Sequence, residues 1–120
     1  MADIINVNSP MGYTVVCSEK QWNLHILTGH GEMEGNEKAV ENTVRDPELV
    51  RRDNDYDNRQ VYFSKSAGAD YEKNGFGTKV IVEVSNPSIP VGDVITACAS
   101  RRIGGNGDDD QLLYKRPSKD

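Results

Sequence analysis

A chain of 120 residues, 36% hydrophobic and 28% charged, suits one compact domain and leaves little room for two. Its longest apolar runs, such as Val80–Val82 and Val94–Ile95, fall far short of the ~20 residues a membrane-spanning helix needs, and Asp3 stands where a secretory signal would carry bases. Fourteen Lys and Arg against nineteen Asp and Glu give a net charge of −5, so the chain as a whole repels phosphate backbones and any nucleic-acid contact must be local.

In chain order, residues 1–12 are polar, contain Pro10 and Gly12, and read as a partly ordered lead-in. Tyr13 to Cys17 is a β-rich run, and Trp22 to Leu27 alternates, with Trp22, Leu24 and Ile26 on one side. Helical spacing appears between Asn36 and Val44, where Ala39, Val40, Thr43 and Val44 form an apolar stripe; Asn36 is the expected N-cap and Asp46-Pro47 the expected stop. Glu48 to Val50 reads as a short turn before a polar loop. Three strands follow: Arg59 to Lys65, with Val61 and Phe63 inward and Tyr62 on the other face, then Thr78 to Val84 and Val94 to Ser100. Residues 104–120 read as a flexible Gly/Asp-rich linker with a short basic tail, leaving 13–103 as the folded domain. Connections too short for crossover helices predict antiparallel pairing, so the fold class is α+β: one main helix on one face of an antiparallel sheet of about four strands.

Cys17 and Cys98 make neither a disulfide framework nor a four-thiolate zinc site, and they read as reduced, buried thiols of a cytosolic protein. A zinc set of Cys17, His25, His30 and Glu32 lacks any paired-ligand spacing, and the alternating Asp53, Asp55 and Asp57 lack the glycine and glutamate of a calcium loop. No metal and no cofactor is expected. The two histidines, His25 and His30, stand five positions apart with Gly29 between them, so a turn can bring both imidazoles to one cleft. The opposing reading is one packed and one surface histidine. Arg59 and Arg101, at the ends of predicted strands, are cations placed to meet an anionic transition state, and Thr96 shares a polar strand face with Cys98 and Ser100.

Trp22-Asn23-Leu24-His25-Ile26, Gly29-His30-Gly31-Glu32-Met33, the helix ending in Asp46-Pro47, Arg59-x-x-Tyr62-Phe63, and Val94-Ile95-Thr96-Ala97 together resemble the phage-associated nuclease-like families grouped with barnase, EndoU, colicin-type tRNases and RelE. The resemblance spans roughly residues 20–103, with Gly31 in place of the proline of the related His-Pro-Glu motif, a change that loosens the turn. It implies a helix on a curved antiparallel sheet whose open face carries a metal-independent ribonuclease site. His25 or His30 would take the proton of a ribose 2′-OH. The second histidine or Tyr62 would protonate the leaving oxygen, Arg59 and Arg101 would neutralise charge, and Thr96 would orient the phosphate. Lys79 and Arg45 complete the expected substrate-binding cations.

Two functions compete on this basis. One is an endoribonuclease of phage or toxin type acting on RNA in the bacterial cytoplasm, with a neutralising protein as a further partner. The other is a non-catalytic acidic protein that grips a host or nucleic-acid-binding protein through the Glu32–Asp57 region, which holds nine acids and four bases. A local basic cleft favours the first and a continuous acidic face the second.

Overall fold

The computed structural model describes residues 3–103 and 112–117. Seven strands form one mixed sheet in the order β1-β2-β6-β5-β4-β3-β7: β1 Asp3–Asn8, β2 Thr14–Ser18, β3 Leu49–Arg52, β4 Arg59–Ser64, β5 Gly77–Glu83, β6 Val91–Ser100 and β7 Leu112–Lys115. The expectation of one main helix on about four antiparallel strands is therefore corrected. β3 to β6 do pair antiparallel, but they are the middle of a larger sheet in which β2 runs parallel to β6. Short connections constrain only strands adjacent in sequence. β2 and β6 are separated by both helical stretches and three strands, and that length of chain permits a parallel return.

Both ends of the described chain contribute strands. In Asp3–Asn8, Ile5 and Val7 are buried between exposed Asn6 and Asn8, an alternation that the Pro10 and Gly12 of the following turn obscured. That turn closes with Ser9 N donating to Tyr13 O at 2.8 Å, and Gly12 supplies its positive φ of 91°. At the other end, β7 pairs with β3, with Leu49 opposite Lys115, so residues 112–115 of the expected tail belong to the sheet; the glycine- and aspartate-rich 104–111 lie outside the described residues. β3 replaces the expected turn at Glu48 to Val50.

Trp22 to Leu27 is helical rather than alternating strand. The helical stretch runs through Glu19–Gln21, a π-helical turn Trp22–Ile26, and Leu27–Gly29. Ser18 Oγ accepts from Gln21 N at 3.0 Å and so caps its start. Trp22 and Ile26, four residues apart, are buried, whereas Leu24, which strand alternation would bury with them, is 60% exposed. The helix Glu37–Arg45 buries Ala39, Val40, Thr43 and Val44, the stripe that the sequence marks. Asn36 precedes it but makes no side-chain cap: its amide donates to Glu32 O and to Asp70 Oδ1.

Both helical stretches cover one face of the sheet. Val50, Tyr62, Val80, Val82, Val94 and Ala97 pack there against Trp22, Ile26, Met33, Val40 and Val44. The sheet curls enough that Ser9, just past β1, hydrogen-bonds the Tyr62 hydroxyl of β4. Among the described residues no helix is long and apolar enough to cross a membrane.

Candidate functional site on the open sheet face

The face turned away from the helices is set by strand register. Lys115 of β7, Leu49 of β3, Phe63 of β4, Lys79 of β5 and Cys98 of β6 stand opposite one another in a row across five strands. In the next row Arg51, Val61, Ile81 and Thr96 are partners. A bulge between Val82 and Ile81 leaves Ile95 unpaired, so Val94 and Ala97 both face the helices and Thr96 and Cys98 keep the open side.

Phe63 lies flat across β5 because position 77 has no side chain. A Cβ on Gly77 would sit 2.6 Å from Phe63 Cζ and 2.9 Å from Ser64 O, closer than atoms can approach. Beyond β6 the chain turns back over this face. Ser100 Oγ donates to Arg102 O at 2.7 Å, and Arg51 Nη2 reaches Ile103 O at 3.3 Å. The Arg51 guanidinium is buried, and burial lowers its pKa from the ordinary arginine value.

Between this turn and β7 opens a cleft of about 590 Å³. Leu49, Phe63 and Ile103 are its apolar floor; Lys65, Arg101, Arg102, Lys115 and Arg116 surround them, with Glu48 as the one acid among the described residues that line it. Among the described lining residues, five cations to one carboxylate reverse the whole chain's balance. Arg116 is held by Asp46, whose carboxylate accepts from Nε at 3.1 Å, and Arg101 stacks over the Phe76 ring at 4.5 Å. Among the described residues Lys65, Arg101, Arg102 and Lys115 form no ion pair.

On the far side of Cys98 stands an imidazole–carboxylate pair. β6 pairs with β2 only as far as Asp93, and the helical stretch covers the exposed backbone beyond. Gln21 Nε2 donates to Ile95 O at 2.8 Å, and Ala99 N donates to Glu32 Oε2 at 3.1 Å. Glu32, fixed by that bond, lies 3.7 Å from His30 Nδ1. Burial raises the pKa of the Cys98 thiol, nearby Lys79 opposes that rise and Glu32 adds to it, which sets both charges beside the same sulfur.

The other expected site residues disperse. His25 is exposed on the helical stretch, and no hydrogen bond or ion pair among the described residues joins it to His30. Tyr62 is fully buried under the helices, bonded to Ser9 at 2.5 Å and to Gln60 at 3.0 Å, and burial pushes its pKa up to about 12. A phenol so placed cannot reach a substrate on the open face. Arg59 is paired with Glu83 at 3.0 Å and stacked on Tyr56. Arg45 sits on the helix, tied to Glu41 and Asn42. Thr96, Lys79 and Arg101 lie on or beside the open face. Cys17 is buried in the core, and burial pushes its thiol up to about 12. Among the described residues no three His, Cys, Asp or Glu side chains converge as metal ligands.

Sequence reasoning missed Lys65, Lys115 and Arg116 as partners of Arg101 and gave Glu32 no part in the chemistry, although it stands in the His30-Gly31-Glu32 motif. The short basic tail was visible, but its return to β3 depends on pairing between residues far apart in the chain. No family model, no curated protein and no solved structure matches this chain.

Proposed function

We propose that this chain is a metal-independent ribonuclease of phage or toxin type, acting on RNA in the bacterial cytoplasm, with His30 and Glu32 as its reacting pair at the β6 edge. The observation that carries this reading is the His30–Glu32 pair held at the β6 edge by Ala99 N, next along the strand from Cys98, whose cross-strand partner is Lys79. Glu32 stands on the Nδ1 side of the ring, 3.7 Å away, and Nε2 takes the proton of a ribose 2′-OH. The oxygen attacks the adjacent phosphorus, the bond to the 5′-oxygen breaks, and that oxygen takes a proton from water. Lys79 faces the charge that develops on the phosphate. The ends produced are a 2′,3′-cyclic phosphate and a 5′-hydroxyl. Tyr62, Arg59 and Arg45 have no part in this scheme.

The acidic-binder alternative draws less support, because the Glu32–Asp57 acids do not form one free face. Glu41 pairs with Arg45 and Lys38, Asp46 with Arg116, and Asp53 accepts from Asp55 N and Tyr56 N in its own loop.

The test is incubation of total bacterial RNA with the protein in excess EDTA, with end-group analysis. Cleavage leaving cyclic phosphate ends is expected, with His30→Ala slowing it about 10²–10⁴-fold and Glu32→Gln less. Intact RNA beside a folded protein, or full activity in His30→Ala, would overturn the reading.

A further inference from the structure

The basic cleft lies at the opposite end of the Lys115–Cys98 row from Glu32, and the proposed chemistry does not use it. We propose that it is a seat for single-stranded RNA, holding one unstacked base on Leu49 and Ile103 and the flanking phosphates on the cations to either side. This rests on the RNA-directed reading above and adds to it which strand state is bound and where.

Three features of the cleft specify that occupant. Its volume of about 590 Å³ falls within the ~300–1,000 Å³ typical of small-ligand pockets, enough for a nucleotide unit. Its charge comes from three separate pieces of chain, Lys65 after β4, Arg101 and Arg102 in the turn after β6, and Lys115 and Arg116 at the end of β7, around the apolar Leu49 and Ile103. A nucleotide within a strand has this pattern, a flat apolar base between two phosphates. In a duplex the base faces are stacked on one another and cannot meet Leu49 and Ile103. The half-buried Leu49 and Ile103 supply the contact surface, while Phe63, only 5% exposed, supports them from below.

An acidic peptide shares the charge requirement, but the observations favour RNA. Three of the five cations are arginines, whose planar forks match phosphate oxygens, and Arg101 is already fixed by stacking on Phe76. In a chain of net charge −5, loose polyanion adhesion is disfavoured overall, and the cleft is a local cluster of cations against that balance.

The experiment is fluorescence anisotropy of a labelled 2′-O-methyl oligonucleotide, which has no free 2′-hydroxyl and cannot be cleaved, so that binding is read apart from catalysis. The single strand is expected to bind about tenfold or more tighter than its duplex. Arg102→Glu combined with Lys115→Glu, both exposed, should weaken binding about tenfold or more and flatten the salt dependence by about 0.7 in slope for each phosphate no longer neutralised. Ile103→Ser should weaken the single strand and leave duplex binding unchanged, and His25→Ala, exposed on the helical stretch, should bind like the parent.

Equal affinity for duplex with no effect of Ile103→Ser would overturn the proposal in favour of plain polyelectrolyte adhesion. Equal or tighter binding of a glutamate-rich peptide carrying one aromatic residue would overturn it in favour of a protein ligand. Binding with these properties but no cleavage of natural RNA would leave this proposal standing and remove the ribonuclease. Cleavage without binding at the cleft would do the reverse.

Discussion

The two faces of the sheet are built from alternate residues of the same strands, yet they differ in what they can do. On β4, Tyr62 points into the helix layer and is fully buried with its hydroxyl satisfied, while its neighbour Phe63 points the other way and underlies a cationic cleft. On β6, Ala97 packs under the helices, while Thr96 and Cys98 keep the open side. A side chain's value for chemistry here depends on parity along the strand before it depends on residue type. Tyr62 has the phenol that general-acid work needs and the wrong parity to use it. Lys79 has the parity and the company.

Several substitutions break or sharpen that comparison. The largest effect is expected on the covered face: Trp22, 2% exposed, should cost about 3–5 kcal/mol when changed to Ala, read as the shift in a urea unfolding midpoint. RNA binding per folded molecule should be unchanged. If that substitution instead costs nothing, the helical stretch does not pack as described.

Gly77→Ala links the faces, since the new methyl meets both the Phe63 ring and Ser64 O. It should cost about 1–3 kcal/mol and weaken oligonucleotide binding, with Phe63→Leu recovering only part of the stability because the backbone clash remains.

Tyr62→Phe is expected to cost about 1 kcal/mol by removing the hydroxyl that bonds Ser9 and donates to Gln60, with cleavage unaffected. It also has a pH signature. A phenol whose pKa is raised in the folded state stabilises fully below its unfolded value of 10.0, and that contribution is lost as pH rises toward about 12. Tyr71, bonded to Thr78 and pushed up to about 12 by burial, behaves alike, and Cys17 begins its loss at 9.0. The protein should therefore lose stability steadily between pH 9.0 and about 12, and Tyr62→Phe should flatten the upper part of that limb. A stability profile flat to pH 12 would contradict the burial of these groups.

The smallest effect belongs to Glu83→Gln, which releases Arg59. A partly exposed pair of this kind is worth about 0–1 kcal/mol, and RNA cleavage should not change. A large loss of activity would return Arg59 to the site.

Periodicity made the Glu37–Arg45 helix legible, because its four buried residues repeat at helical spacing and a proline follows. Valine alternation did the same for β5. It failed at Trp22–Ile26, where a period of two and a period of four both place Trp22 and Ile26 together, and only the exposure of Leu24 separates the two patterns. Within the site, Thr96, Lys79 and Arg101 are on or beside the open face and His30 stands with Glu32 at the β6 edge, but their neighbours are set by pairing over long sequence separations. Ala99 N meeting Glu32 spans 67 residues, and Arg51 meeting Ile103 spans 52.

What the sequence by itself determined is local: strand and helix where the apolar period is unambiguous, the acidic balance, and the residue types available for acid–base chemistry. Tertiary structure alone decided which of those residues share a space. The edge strands β1 and β7 gain their hydrogen bonds only from partners outside their own segments, and five cations from three separate segments make one cleft only after the turn beyond β6 folds back onto β3. Local pattern carries burial, because burial repeats along an element. It carries no register between elements, and register is what put Thr96 and Lys79 on the open side and left Tyr62 beneath the helices.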